Sequence, residues 1–391
     1  MIYLDYNATT PLCAPAREAM EPFLARHYGN PSSVHGAGRE ARAGVDNARD
    51  CLADLLGAKP HELIFTSSGT ESNNLAVLGP ARAHATRGRH LICGSTEHHA
   101  VLHAFEHLGR RESFDVTFLP VDESGRIDPD ELQSAIRDDT ILVSIMTANN
   151  ETGVLQPMEE LAGVCRERGV LLHSDMVQWF GKVETRLGES GLAAASFAAH
   201  KFYGPKGAGL LYLRASVPIE AVQFGGAHEN QRRPGTENVP AIVGMAAAAE
   251  WTLRNRATEQ TRQSVLRDRL WERIAKSFPA ATQNGDRSHR LANTLNVSFA
   301  GVSSETILMG LDLEGVCASS GSACMVGSVV ASHVLLAMGS PAALAGSAVR
   351  FSLGHETTEQ EIDRAGEIVG RVMDRIGSVK SNATAETYAV V

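Results

Sequence analysis

The sequence has 391 residues, 43% of them hydrophobic, which is enough to bury a substantial core in about two domains of ordinary size. Its formal charge is −9, from 36 basic and 45 acidic residues that are interspersed, so there is no broad basic field of the kind that attracts nucleic acid or anionic lipid. No stretch approaches the roughly 20 apolar residues that cross a bilayer, and the start has no basic flank followed by an apolar run, so the expectation is a cytoplasmic protein acting on small molecules.

From about residue 60, short β-rich runs alternate with longer helical patterns. Strands are predicted at 62–66, 90–93, 116–119, 141–145, 170–173 and 209–212. Helices fit between them at 69–78, 100–108, 129–136 and 157–168, each opening near a turn residue or proline. This alternation predicts an α/β fold with a mainly parallel sheet covered by helices. One long helix over 241–276 follows, then strands near 294–299 and 317–319, which suggests a second, smaller α/β domain. Residues 378–391 are polar and aperiodic and are expected to be a poorly ordered tail.

Ligands of open parallel sheets bind beyond the carboxyl ends of the strands, and four segments place polar residues there. The first is TSSGTES (66–72), where the backbone of Gly69 and Thr70 and the Thr70 hydroxyl could hold a phosphate at a helix N-terminus. A Ser/Thr-rich turn of this kind is also an ordinary helix cap. The second is HSDMVQ (173–178), where Asp175 could pair with a protonated ring nitrogen or simply cap a loop, and Gln178 could reach another polar edge. The third is AHKFYGPKGAG (199–209), a glycine-punctuated turn. Lys201 could be a covalent amine anchor here, His200 a phosphate ligand, and Lys206 is the competing lysine; a solvated basic turn is the alternative. The fourth is SSGSACMVGS (319–328), whose small residues predict a loop in which the Cys324 thiol is reachable. The other five cysteines (Cys13, Cys51, Cys93, Cys165 and Cys317) are scattered, with no Cys-x-x-Cys pair, and read as small buried hydrophobes.

Further motifs are YLDYNATTP (3–11), GNPSS (29–33), EHHAV (97–101), ANNETG (148–153), RRPGTEN (232–238) and VRFSLG (349–354). Together and in this order they resemble the NifS/IscS-type cysteine desulfurases, in the class V aminotransferase group of fold-type-I pyridoxal-phosphate (PLP) transferases; the cysteine loop is similar to that of their group I branch. The resemblance implies a large domain over 13–257 with a mainly parallel seven-stranded sheet. It implies a small domain formed by 1–12 and 258–377. It implies that Lys201 carries PLP covalently as an internal aldimine, that Asp175 pairs with the pyridinium nitrogen, that Gln178 contacts the ring hydroxyl and that His98 stacks on the ring. Gly69, Thr70 and His200 would bind the phosphate, joined by Thr236 from the other subunit of a homodimer. Asn150, beside the cofactor, and Arg350 would position the carboxylate of the substrate L-cysteine. Lys201 and His98 would move protons, and Cys324 would receive the sulfur as a persulfide and pass it to an iron–sulfur scaffold or a sulfur carrier, leaving L-alanine. No resident metal is implied, although Cys324 could contact a cluster during transfer. Relatives usually carry a polar side chain three residues before the lysine, where this chain has Ala198.

Overall fold

A computed structural model describes residues 1–320 and 331–388, with side chains to 377. In chain order it contains β1 (Ile2–Tyr3), α1 (Ala14–Ala25), α2 (Gly36–Leu56), β2 (Leu63–Thr66), α3 (Gly69–Ala83), β3 (His90–Gly94), α4 (His99–Glu112) and β4 (Asp115–Leu119). These are followed by α5 (Pro129–Ala135), β5 (Thr140–Ser144), α6 (Met158–Glu167), β6 (Leu171–Asp175), β7 (Ala194–Ala198) and β8 (Gly209–Leu213). The remainder is α7 (Val239–Ser277), β9 (Ala281–Gln283), β10 (Thr294–Phe299), α8 (Ser304–Leu313), β11 (Val316–Cys317), α9 (His333–Ala337), α10 (Ala342–Ala345), β12 (Ala348–Ser352) and α11 (Glu359–Tyr388).

Seven strands form one sheet in the order β2-β8-β7-β6-β5-β3-β4. From β7 to β4 the neighbours are parallel, while β8 runs antiparallel to both β7 and β2. The antiparallel step follows from chain length: the stretch between Ala198 and Gly209 is too short for a crossover helix, so the chain must double back. That return carries Lys201 at the carboxyl end of β7, on the edge where an open parallel sheet binds its ligand. The six strands read from β-rich runs all appear, and β7 is the seventh. Its sequence, AASFA, is mostly alanine and has little intrinsic strand preference; complete burial between β6 and β8 makes it a strand.

Of the five hydrophobic clusters among the described residues, the two largest share one helix. The larger lies between the sheet and α1, α2, α6 and the first half of α7; the smaller joins Leu4 to β10, β12, α8, α11 and the second half of α7. Helix α7 therefore belongs to both, giving Val239, Ile242 and Met245 to the first and Leu266, Leu270 and Ile274 to the second. Its start is set by Asn238, whose side chain accepts from the Ala241 N–H, and by Pro240, which fits a first turn where its missing N–H costs nothing.

The N-terminal segment links the second core to the edge of the sheet. β1 pairs in parallel with β11, Asp5 bridges to Ser352, and the Thr10 N–H donates to His200 O at 2.9 Å. At the other end of the chain α11 continues to Tyr388. Residues 378–388 lack an apolar stripe, but a helix already anchored in the core extends at the low cost of propagation and needs no new nucleus. Cys324 and the rest of 321–330 lie outside the described residues. No described helix is long and apolar enough to cross a membrane.

Candidate active site

A cleft of about 330 Å³ opens at the carboxyl ends of the strands, and Gly69, Thr70, His98, Asn150, Asp175, Gln178, His200, Lys201 and Arg350 all line it. Nine residues singled out from the sequence thus meet in one place. Thr236 does not: it is exposed and lies outside this cleft.

Local chain geometry aims each group. Ser68 caps α3 by accepting from the Glu71 N–H at 3.1 Å, which leaves Thr70 on the first turn, where free N–H groups and the helix dipole favour an anion. The capping and phosphate readings of this turn are therefore divided between two residues. A Cβ on Gly69 would stand 2.8 Å from Val177 Cγ2 and 3.2 Å from Ala198 Cβ, so glycine is what lets the helix start this close to the ends of β6 and β7. Lys201 projects from a single 3₁₀ turn, and two residues later Tyr203 sits at φ 66°, a strained conformation for a bulky side chain. It is held there by its own N–H donating to Thr10 Oγ1 at 2.8 Å and its hydroxyl accepting from His355 N at 2.8 Å. Lys206, the competing lysine, is exposed.

The hydrogen bonds assign the chemistry further. Lys201 Nζ donates to the carbonyls of Asn7 and Ala8 at 2.8 and 2.7 Å. Asp175 is buried and accepts from Asn73 Nδ2 at 2.6 Å and from the Val177 N–H at 2.9 Å, neutral donors that leave its charge to be met by a cation in the cleft. Next to it Asn73 Oδ1 is a buried acceptor without a partner, which also suits a protonated group. His98 caps α4, its Nδ1 accepting from the Ala100 N–H at 3.1 Å, so in the neutral ring the hydrogen is assigned to Nε2. Burial lowers its pKa, as do the charges of Lys201, His333 and His103, while Asp175 opposes them. Burial first, then the charges of Lys201 and Lys206, bring the His200 pKa down to about 4. Arg350 donates from Nη1 to Asn150 O and from Nη2 to Asp5 Oδ1, both at 2.8 Å, while its buried Nε has no partner.

Four neighbours escaped the sequence reading. Asp5 and Asn7 lie within YLDYNATTP, Asn73 stands one helical turn after Gly69, and Lys182 stands four residues after Gln178. Only the spacing of the last two gives a local signal. Lys182 Nζ donates to Gln178 Oε1 at 2.7 Å and to Asn7 Oδ1 at 3.1 Å.

An amine on a strained turn opposite a buried, uncompensated carboxylate, with an anion-binding helix end between them, suits PLP, and the fold and cleft define a class V aminotransferase-type PLP enzyme. The aminotransferase class-V family matches residues 2–365. The chain is 46% identical to the cysteine desulfurase IscS of Dictyoglomus turgidum over 97% of this chain and 96% of that protein, and 43% identical to that of Methanosarcina thermophila over 96% and 92%. A solved NifS-like protein superposes with a TM-score of 0.90 at 36% identity, covering 95% of this chain and 99% of the other. The chain belongs to the IscS/NifS family of cysteine desulfurases, and its cofactor is PLP.

Ala198 lines the cleft beside Gly69. Replacing it with serine is expected to tighten PLP binding about tenfold, the low end of what a hydrogen bond to a charged group contributes. Dialysis and reconstitution measure this; an unchanged affinity would mean that water already fills the place of the hydroxyl.

Proposed function

We propose that this chain takes sulfur from L-cysteine, leaving L-alanine, with PLP held by Lys201 and the sulfur received by Cys324. The observation that carries the proposal is the convergence of Lys201, Asp175, Gln178, His98, Thr70 and Arg350 on one cleft in a chain of this family. Asp175 would pair with the ring nitrogen, Gln178 would face the ring hydroxyl, and His98 would lie against the ring. The N-terminus of α3 at Gly69 and Thr70, with His200, holds the phosphate. Arg350 and Asn150 hold the substrate carboxylate, and the unpartnered Nε of Arg350 leaves the guanidinium short of one acceptor.

Bound PLP supplies an electron sink that eases loss of the α-proton and departure of sulfur. Lys201 and His98, both on the cleft, take and return protons. The Cys324 thiolate attacks the substrate sulfur, the bond from that sulfur to the substrate's β-carbon breaks, and the carbon fragment takes up a proton and leaves as alanine. The sulfur remains on Cys324 as a persulfide, which passes to an acceptor protein in the cytoplasm, an iron–sulfur scaffold or a sulfur carrier. Residues flanking 321–330 support this placement. The Ser319 N–H donates to Arg350 O at 3.2 Å, and His333 Nε2 lies 3.0 Å from Glu97 O, next to His98.

The PLP-loaded protein, given L-cysteine and a reductant, should release alanine and sulfide in equal amounts. Bound PLP with neither product would defeat the proposal. The position of Thr236, exposed and away from its own cleft, further suggests a homodimer in which it completes the phosphate site of a second subunit. Sedimentation at assay concentration is expected to show the dimer, and a fully active monomer would remove Thr236 from the site.

A further inference from the structure

We propose that Lys182 is a positioning residue that fixes which end of the Gln178 amide is presented to the cofactor. The two ends of a glutamine amide have the same shape, and only neighbours decide which one donates. Here two neighbours agree. Gln178 Oε1 lies 2.7 Å from Lys182 Nζ, a donor when charged, and Gln178 Nε2 lies 2.9 Å from the carbonyl of Asn7, which can only accept. With the oxygen turned to Lys182, one N–H of Nε2 goes to Asn7 O and the second is left for the cleft. Without Lys182 only the Asn7 carbonyl still holds the amide in this orientation, and the arrangement that presents an acceptor becomes more populated.

The chain places Lys182 for this role. After β6 the backbone coils, with Phe180 N donating to Met176 O at 3.1 Å and Val183 N to Trp179 O at 3.1 Å, so positions 178 and 182 fall on one side of the coil. Gly181, at φ 77°, lets α7 close in: a Cβ there would stand 2.3 Å from Thr252 Cγ2. A small cavity of about 40 Å³ lies behind Lys201 and Lys182, with Asn293, Arg256 and Glu259 among its lining residues. Lys182 Nζ is also bound to Asn7 Oδ1, which accepts from Asn293 Nδ2 at 3.0 Å, and the same Asn7 receives Lys201 Nζ on its main-chain oxygen. Lys182, Gln178, Asn7 and Lys201 thus form one connected network behind the cofactor's place.

The charged groups facing Lys182 are Lys201 and Arg350 from the side of the cleft and Arg256 and Glu259 from α7. Burial first, then Lys201 and Arg350, bring its pKa down to about 7. An N–H directed at the ring hydroxyl oxygen and a positive charge behind it act in the same direction. Both favour the less protonated form of the bound cofactor and lower the pKa at which its visible band changes.

This inference rests on Gln178 facing the ring, and the test separates the two claims. In the PLP-loaded protein, the visible band is titrated with pH for Lys182→Met, Gln178→Leu and the double variant. Lys182→Met is expected to raise the apparent pKa by about one unit, the low end of the effect of a nearby charge on a buried group. Gln178→Leu should also raise it, and the double variant should fall short of the sum of the two shifts, as coupled residues do. Lys182→Arg should return the value toward that of the unaltered protein. No shift in Gln178→Leu would overturn the placement of Gln178. A shift in Gln178→Leu with none in Lys182→Met, or fully additive shifts, would overturn the role of Lys182 alone. Should the methionine variant fail to fold, Lys182→Leu likewise removes both the charge and the N–H; a raised pKa then supports the inference and an unchanged one defeats it.

Discussion

Lys201→Ala is expected to abolish the yellow colour of the PLP-loaded protein and its activity while leaving the fold intact. The colour depends on a covalent link that only an amine can make, and loss of a proton-transfer group costs a further ~10²- to 10⁴-fold in rate. The fold should survive because the lysine makes few structural contacts: it donates to two carbonyls, and Asn7 O keeps Gln178 Nε2 as a donor when Lys201 is gone. The strained turn around Tyr203 is held by Thr10 and His355, independently of the lysine. Lys206→Ala should keep both colour and activity, since that side chain is exposed on the same loop. Absorption spectra, alanine release and thermal melts of the two variants decide the point. Colour surviving the first change and vanishing with the second would reverse the assignment.

Cys324→Ser should behave in the opposite way, keeping the colour while alanine and sulfide nearly disappear. Nothing that holds PLP depends on this thiol, but a serine hydroxyl is almost fully protonated at neutral pH and attacks sulfur poorly. A cysteine with an ordinary pKa of about 8.5 is already partly thiolate. The other cysteines offer no substitute. Cys13, Cys93 and Cys165 are buried, and burial pushes the thiols of all five described cysteines upward. Cys317, the nearest in sequence, lies on β11, and the charges of Asp312 and Asp5 raise its pKa further. Full activity in Cys324→Ser, with a trapped persulfide on Cys317, would contradict this division of labour.

The pH behaviour of the cleft follows the same logic of burial. Burial lowers the pKa of His98 and takes that of His200 down to about 4, which favours the neutral ring; a neutral ring donates through its N–H and takes up a proton only at its other nitrogen. Glu97, fully buried behind His98, is pushed well above the carboxylate range by burial first and by the charge of Asp175 second. Ionisation of Glu97 is thus disfavoured, while Asp175 is the acid that lines the cleft itself.

Some of this was readable along the chain because it is set by neighbours in sequence. A serine before a helical run caps it, an acid at the end of an apolar strand stands at the sheet's ligand edge, and a lysine just ahead of a glycine-rich stretch sits on a turn. Local segments of this kind pointed to Thr70, Asp175, Gln178, His200 and Lys201, and the ordered motifs supplied His98, Asn150 and Arg350. The same rules failed for β7, whose alanines carry no strand signal.

What only the tertiary structure decided is how the groups hold one another. Asp5 grips Arg350 from 345 positions away, Asn7 reaches Thr294 from 287, and Asn73 reaches Asp175 from 102. Contacts of this kind have no period and no local propensity. They exist because the N-terminal segment is drawn from the second core to the Lys201 turn, with Leu4 buried at one end and Thr10 bonded to His200 at the other. The sequence by itself determined which residues stand at the sheet's edge. The packing of two cores on one shared helix decided that Asn7 would join Lys201, Gln178 and Lys182, because orientation and charge in a buried cleft depend on the distant segments that enclose it.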